Sequence, residues 1–304
     1  GRSDDGAVQR TAEADLEIRV DLSTHTHGAG VGIVARKPAR VAITHVASAG
    51  ALGMSAVDFK LTDRHADLPE NDEFLVESLL AMEGCVYPFR RMQAAREHPF
   101  HRAALGVSDD AIVIGAFVTP LKLSRRTMAL WKEILDRVPR ARIAFSPNLP
   151  WLRDTYPRIL AAANIDPGRA IMLPQGRDEA EGLARYELVD FVLDPTPLGN
   201  VNGTIEPLNL GIPVVTLCGR THGERTGYSI LTNLGVTSTI AMSGREYVAV
   251  AARLADDRDF RAGVRRDILA RLADSPLTDM RGYARRLESA YRQAMVQTGH
   301  DIDP

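Results

Sequence analysis

Cysteine is nearly absent: Cys85 and Cys218 are the two in 304 residues, far apart and each beside apolar neighbours. That excludes a disulfide framework and any cysteine-rich metal motif, and both read as reduced packing residues. No apolar run approaches the roughly 20 residues needed to cross a bilayer, and no signal peptide is visible. The expectation is a cytoplasmic protein with no membrane partner. Neither charge is in surplus, since 37 Lys+Arg against 39 Asp+Glu leave a formal net charge of -2. Nothing global therefore points to nucleic acid. Internal repeats and low-complexity tracts are missing. So is a metal-ligand cluster, because His25 and His27 share one loop but have no third ligand close by. The chain also lacks an initial Met, and its start at Gly1-Arg2-Ser3 suggests a fragment or a processed piece. What remains, 45% hydrophobic and 25% charged residues, is the composition of a globular protein of about two domains.

The most informative stretch is FVLDPTPLGNVNGTIEPLNLGIPVVT, residues 191–216. Its apolar run ends at Asp194 and yields to a Pro/Gly/Asn loop. A short helix is predicted over 205–210, and Val214-Val215 resumes strand character. Such a loop sits at the carboxyl end of a parallel strand, and the helix start offers unpaired N–H groups with a partial positive charge that suits phosphate. With Thr204 as N-cap, Pro207 falls in the first turn, where its missing N–H costs nothing. Gly199, Asn202 and Gly203 suit a sharp turn or a close approach of backbone to ligand. Glu206 projects near the helix start, where a carboxylate can accept from ribose hydroxyls. The same residues also fit a turn that only closes a core.

Along the rest of the chain, little order is expected in residues 1–15. A strand over 16–22 delivers a loop with His25 and His27, suited to acid–base chemistry or anion binding. Strands follow over 41–46, where His45 reads as a core histidine, and over 57–61, separated by a small-residue loop at 47–53. A short helical piece is predicted at 74–80, and a polar link with solvated His98 and His101 near 95–110. A buried strand over 111–118 then leads through a turn to Ser124, which caps a helix running to about 138. Its core face is Met128, Trp131, Ile134 and Leu135. Lys122 stands just before that helix, where a lysine either reaches bound phosphate or is simply solvated. Strands at 143–145 and 170–173 alternate with helices at 156–163 and 178–187, and amphipathic helices cover 247–255, 260–272 and 283–295. This alternation is the signature of a doubly wound parallel sheet, with ligands beyond the carboxyl ends of its strands.

Several of these segments together resemble the O-GlcNAc transferase family. Val20-Asp21-Leu22-Ser23 with His25-Thr26, Ala35-Arg36-Lys37-Pro38-Ala39 and Val57-Asp58-Phe59-Lys60-Leu61-Thr62-Asp63 are similar to its first catalytic lobe. Residues 117–122, 131–139, 186–197, 213–217, 219–221 and 275–277 are similar to its second lobe and tail. The loop Gly199-Asn200-Val201-Asn202-Gly203 is closer to the related cytoplasmic N-glycosyltransferases of the HMW1C type. The resemblance implies an α/β protein of the GT-B architecture with two Rossmann-like domains. Residues 1–105 would form an N-terminal lobe incomplete at its start, 106–275 a nucleotide-sugar lobe, and 276–304 a helix and tail packing back on the first lobe. It also implies inverting transfer of a hexose or N-acetylhexosamine from a UDP-sugar to a Ser/Thr or Asn side chain of a protein or peptide, without metal or other cofactor. Asp-x-Asp is missing from the strand ends; it occurs at 257–259, between the helices predicted over 247–255 and 260–272, and at 301–303 in the tail.

By the same resemblance Lys122 contacts the diphosphate and steadies the leaving group. Asn202, Gly203 and Thr204 hold the phosphates, Glu206 the ribose, and Gln175 to Arg177 flank the uracil. Thr119 and Arg185 belong to the same donor-side set, and His25 is the candidate in the first lobe for a polar or proton-handling role. Three departures accompany the likeness. The first strands of the N-terminal lobe are missing, which a further segment or a partner chain would supply. Gly182 stands where a His is usual, and Gly30 where an Arg is usual. The alternative they leave open is a non-catalytic, glycosyltransferase-like subunit that binds nucleotide or acceptor.

Overall fold

The computed structural model describes residues 4–45, 50–108, 110–152 and 154–300. Gly1-Arg2-Ser3, Val46, residues 47–49 of the small-residue loop at 47–53 and the Asp-x-Asp of 301–303 lie outside the described residues. The chain divides into two units. The first comprises the residues through Pro88, Arg220–His222 and the C-terminal segment from Asp279; the second comprises Phe89–Gly219 and Gly223–Thr278.

In the first unit, α1 (Asp4–Glu13) replaces the disorder expected at the start. The segment has no proline, carries Arg10 in its last turn where the helix dipole favours a cation, and is bridged by Gln9 Nε2 donating to Glu13 Oε1 at 2.8 Å. After it come β1 (Ile18–Asp21), α2 (Val31–Val34), β2 (Val41–Thr44), β3 (Phe59–Asp63) and β4 (Ser78–Met82), an all-parallel sheet in the order β1-β2-β3-β4. The helical piece predicted at 74–80 is corrected. Pro69–Phe74 is a 3₁₀ helix, and Ser78–Met82 is a strand whose Leu80 and Met82 share one face and are buried. A Ser-Leu-Leu-Ala-Met run has no intrinsic strand preference, and pairing with Phe59–Asp63 decides its state.

The Asp63 carboxylate fixes the turns beyond β3 by accepting from the N–H groups of His65, Ala66 and Val86 at 2.7–2.8 Å. The C-terminal helix Met280–Gln297 is held there by Tyr283, whose hydroxyl donates to Val86 O at 3.0 Å and lies 3.0 Å from His45 Nε2. Burial pushes His45 down to about 4, so it is a neutral core histidine. Asp67 Oδ2 meets Lys60 Nζ, Thr62 Oγ1 and His222 Nδ1 at 2.9, 2.6 and 2.6 Å. Burial opposes its charge, but the His222 bond and the neighbouring charges prevail and hold the carboxyl below its ordinary value.

In the second unit the order is β5 (Ile112–Phe117), α3 (Arg125–Arg137), β6 (Ala141–Ser146), α4 (Thr155–Ala162), β7 (Ala170–Met172), α5 (Glu179–Ala184), β8 (Phe191–Leu193), α6 (Asn202–Leu208), β9 (Val214–Leu217), α7 (His222–Leu234, its first residue counted with the first unit), β10 (Ile240–Ala241), α8 (Gly244–Asp256) and α9 (Arg258–Ala273). The parallel sheet runs β7-β6-β5-β8-β9-β10, the doubly wound order in which the chain reverses between its first strand and its fourth. Ser124 Oγ accepts from Thr127 N to cap α3, and Met128, Trp131, Ile134 and Leu135 are buried beneath it.

The expected boundary near 105 moves back to 88/89. The link is not solvated, because it is bonded along its length to the second unit. Arg90 pairs with Glu179, Arg91 Nη1 donates to Leu272 O, Met92 N to Asn209 Oδ1, and Ala95 N to Ala180 O. His98 pairs with Glu187 at 3.4 Å and stacks on Phe100, and Arg102 binds Asp190 at 3.0 Å. His101 is exposed, as expected of it.

Candidate functional site

The crevice of a doubly wound sheet opens where neighbouring strands send their connections to opposite sides. Here that point lies between β5 and β8. After β5 the chain passes Val118 and Thr119 into a one-turn 3₁₀ helix, Pro120–Lys122. After β8 it makes the Pro/Gly/Asn loop. Lys122 Nζ bridges the two by donating to Gly199 O at 2.8 Å and to Asn200 Oδ1 at 2.6 Å. Asn200 is fixed in turn. Its Nδ2 donates to Phe117 O at 3.2 Å and its N–H to Asp194 Oδ1 at 2.8 Å. The lysine thus binds neutral acceptors, with an ammonium donor to spare. Burial draws Lys122 below its ordinary value and the charge of Asp194 partly restores it.

Asp194 is the buried anion of this arrangement. Besides Asn200 N it accepts from Thr216 Oγ1 at 2.9 Å, and its carbonyl accepts from Tyr247 OH at 2.9 Å. Burial pushes its carboxyl up to about 6, against the opposing pull of Asn200, Thr216 and Lys122. Two glycines are required by contact. A Cβ on Gly199 would stand 2.9 Å from Asp194 Oδ2, and one on Gly203 would stand 2.9 Å from Asn200 Cβ. The following segment is tied back to α3, with Ser124 Oγ and Thr127 Oγ1 both donating to Thr196 O at 2.5 and 2.6 Å.

A second group adjoins the loop through Phe117. The Tyr186 ring, 1% exposed, stacks on Phe117 with centroids 3.7 Å apart, and its hydroxyl donates to Glu206 Oε2 at 2.8 Å. Burial raises the Glu206 carboxyl above its ordinary value, while the Tyr186 bond and the Arg185 charge lower it. Arg185 holds the turn beyond β7 through bonds to Gly182 O, Ser146 Oγ and Pro174 O. Gln175 and Arg177 are exposed on that turn. The Arg177 guanidinium pairs with Glu181, whose carboxyl falls to about 2 through that bond.

Of the sequence candidates, Lys122, Asn202, Gly203 and Glu206 gather at or beside the β5/β8 crevice, with Thr119 exposed just before Lys122. His25 lies in the other unit, exposed on the loop after β1. Thr204 requires correction. The helix begins two residues before it, with Val201 as N-cap, so Thr204 lies in the first turn, its N–H bonded to Val201 O and its hydroxyl to Asn200 O. Pro207 consequently lies inside α6 rather than in its first turn. The turn bonds of Val201 start the helix early, and no side-chain cap is involved. Asp194, Asn200 and Tyr186 are the participants that sequence reasoning did not single out. For Asp194 the sequence marks only the position, a carboxylate directly after a fully apolar strand, and not its partners.

Two Rossmann-like parallel sheets and a crevice at the switch point of the second define the GT-B class of glycosyltransferases. The solved structure of a mutant of the Thermobaculum terrenum O-GlcNAc transferase superposes with a TM-score of 0.84 at 26% identity, covering 98% of this chain and 56% of that one. The chain belongs to glycosyl transferase family 41, whose model matches residues 98–287. The rice (Oryza sativa subsp. japonica) protein named "Probable UDP-N-acetylglucosamine--peptide N-acetylglucosaminyltransferase SPINDLY" is 29% identical over 287 residues, 92% of this chain and 30% of the relative. A UDP-N-acetylglucosamine--peptide N-acetylglucosaminyltransferase of Caenorhabditis elegans is 31% identical over 206 residues, 66% of this chain and 18% of the relative. The chain thus spans about a third or less of the length of these curated relatives.

Proposed function

We propose that this chain binds a UDP-sugar in its second unit and takes part in inverting, metal-independent transfer of N-acetylglucosamine, or another hexose, to a Ser/Thr or Asn side chain of a protein or peptide. The observation that carries the reading is Lys122, a half-buried ammonium bonded to neutral acceptors across the β5/β8 crevice. A cation so placed favours charge that develops on a departing diphosphate. The N–H groups of Asn202 and Gly203, which have no intrahelical partner by position, add to the same field in place of a metal ion. Glu206 receives the ribose, the turn of Gln175 and Arg177 with Arg185 lies toward the base, and Thr119 lies toward the phosphates. His25 handles a proton on the acceptor side. The relatives named above, which act on UDP-N-acetylglucosamine and peptide, support the choice of substrates. Two free, buried cysteines agree with a reducing compartment, the cytoplasm.

A non-catalytic nucleotide-binding subunit is the second reading, and one observation favours it. Gly182 stands where the family resemblance expects a histidine, so position 182 offers no side chain to a donor.

Titration calorimetry of UDP, UDP-GlcNAc and UDP-Glc into wild type and Lys122→Ala tests the donor site. The expected result is binding by wild type that weakens at least tenfold, about 1.4 kcal/mol, in a variant whose thermal melt is unchanged. No binding by wild type rejects the reading. Binding without transfer to any acceptor selects the second one.

A further inference from the structure

We propose that Tyr186 is a positioning residue for the nucleotide: it engages one oxygen of Glu206 so that the other is presented to the vicinal hydroxyls of a donor ribose. The inference rests on the reading of Glu206 given above and extends it to a buried side chain. Glu206 sits on the second turn of α6, a two-oxygen carboxylate that could rotate about its terminal torsion. Tyr186 removes that freedom. Its hydroxyl donates to Oε2 at 2.8 Å, and Oε1 has no partner among the described residues. The tyrosine cannot follow a rotating carboxylate, because its ring is buried and stacked on Phe117.

Phe117 also offers its carbonyl to Asn200 Nδ2, and Asn200 Oδ1 accepts from Lys122. Phe117 therefore links the ribose-facing carboxylate, through its ring, and the phosphate-facing ammonium, through its carbonyl and Asn200, in one frame. Preorganisation of this kind acts on ligand affinity through geometry, with no direct contact to the ligand.

The bond also affects titration. Glu206 faces Tyr186, Arg185 and Glu179; burial and Glu179 favour its neutral form, and Tyr186 and Arg185 its charged form. Loss of the tyrosine hydroxyl moves the carboxyl further up, so the acid limit of nucleotide affinity shifts to higher pH.

The test uses the whole chain with UDP and 2′,3′-dideoxy-UDP as probes. Tyr186→Phe keeps the ring and its stack. It is expected to weaken UDP five- to tenfold, to change dideoxy-UDP less than twofold, and to shift the acid limb of the UDP profile upward. In a Glu206→Gln background the same change is expected to have no further effect. Equal losses for both nucleotides, additive effects in the double variant, or wild-type UDP affinity in Tyr186→Phe would overturn the role of Tyr186 alone. A wild type that does not distinguish the two nucleotides would overturn it together with the reading of Glu206. Should Tyr186→Phe melt early, Glu206→Gln alone carries the test, and it must lose the preference for ribose.

Discussion

At the scale of single residues, Asp194 has the most to say about pH. Its carboxyl titrates near 6 in the folded protein against an ordinary 3.8. Between those values the folded state holds a proton that the unfolded chain has released. The contribution of this group to stability therefore rises as pH falls from about 6 toward 4, and is lost as pH rises back through 6. The gap corresponds to about 3 kcal/mol at most. Asp67 and Glu181, held below their ordinary values, contribute with the opposite sign in more acid solution. A comparison with Asp194→Asn isolates the effect. Urea denaturation at pH 7 and pH 4 is expected to show wild type gaining up to about 3 kcal/mol on the variant at the lower pH. A difference that does not change with pH would contradict the assigned titration. Lys122 was singled out in the sequence through the family resemblance, since its place between a buried strand and a capped helix also fits a solvated lysine. Asp194 was not, because its meaning comes from Thr216 and Asn200, which only the sheet brings to it.

At the scale of elements, the loop and first turn after β8 form a clamp around Asn200. Gly203→Ala would set a methyl 2.9 Å from Asn200 Cβ and 3.2 Å from its Cγ. Asn200 must then move, which breaks its bonds to Lys122 and to Phe117. UDP affinity is expected to fall on the order of tenfold, about the worth of one or two hydrogen bonds, while the melting temperature changes little. Retained affinity in calorimetry would show that the clamp is not required. Elements with strong periodicity or a clear cap, such as α3 behind Ser124, could be read from sequence nearly to the residue. The start of α6 could not, because Thr204 looks like a cap but spends its hydroxyl on Asn200 O. The strand Ser78–Met82 was misread for a different reason: its Leu-rich composition serves either state, and only the ladder to β3 chooses.

At the scale of the whole molecule, the division into two units, with the C-terminal helix assigned to the first, gives a truncation test. A chain ending at Thr278 loses the bond of Tyr283 to Val86 O and the burial of Tyr283, Ala290, Ala294 and Met295. The loss to the first unit is expected to be on the order of 5 kcal/mol. Calorimetry should show its transition lowered or absent and that of the second unit retained. A single unchanged transition would reject the independence of the units. The alternating pattern made the doubly wound class legible, and the family resemblance supplied its two-domain form. The boundary was not legible, because residues 89–105 have the composition of a linker and bond to the second unit through backbone groups and long arginines that no periodicity reports.

The strand order of the second unit also bears on its synthesis. A ribosome releases β5, β6 and β7 in succession, and these can pair as they emerge, but the other edge of β5 stays open until Phe191–Leu193 arrives. At about 5–20 residues per second that wait is on the order of ten seconds. An unpaired central edge is a place where a nascent chain is open to wrong partners, so β8 is the segment whose delay or mistranslation would cost the most. The β5/β8 crevice, where we propose that nucleotide binds, is the seam that this late arrival closes, and nucleotide is expected to stabilise only chains that have passed that point.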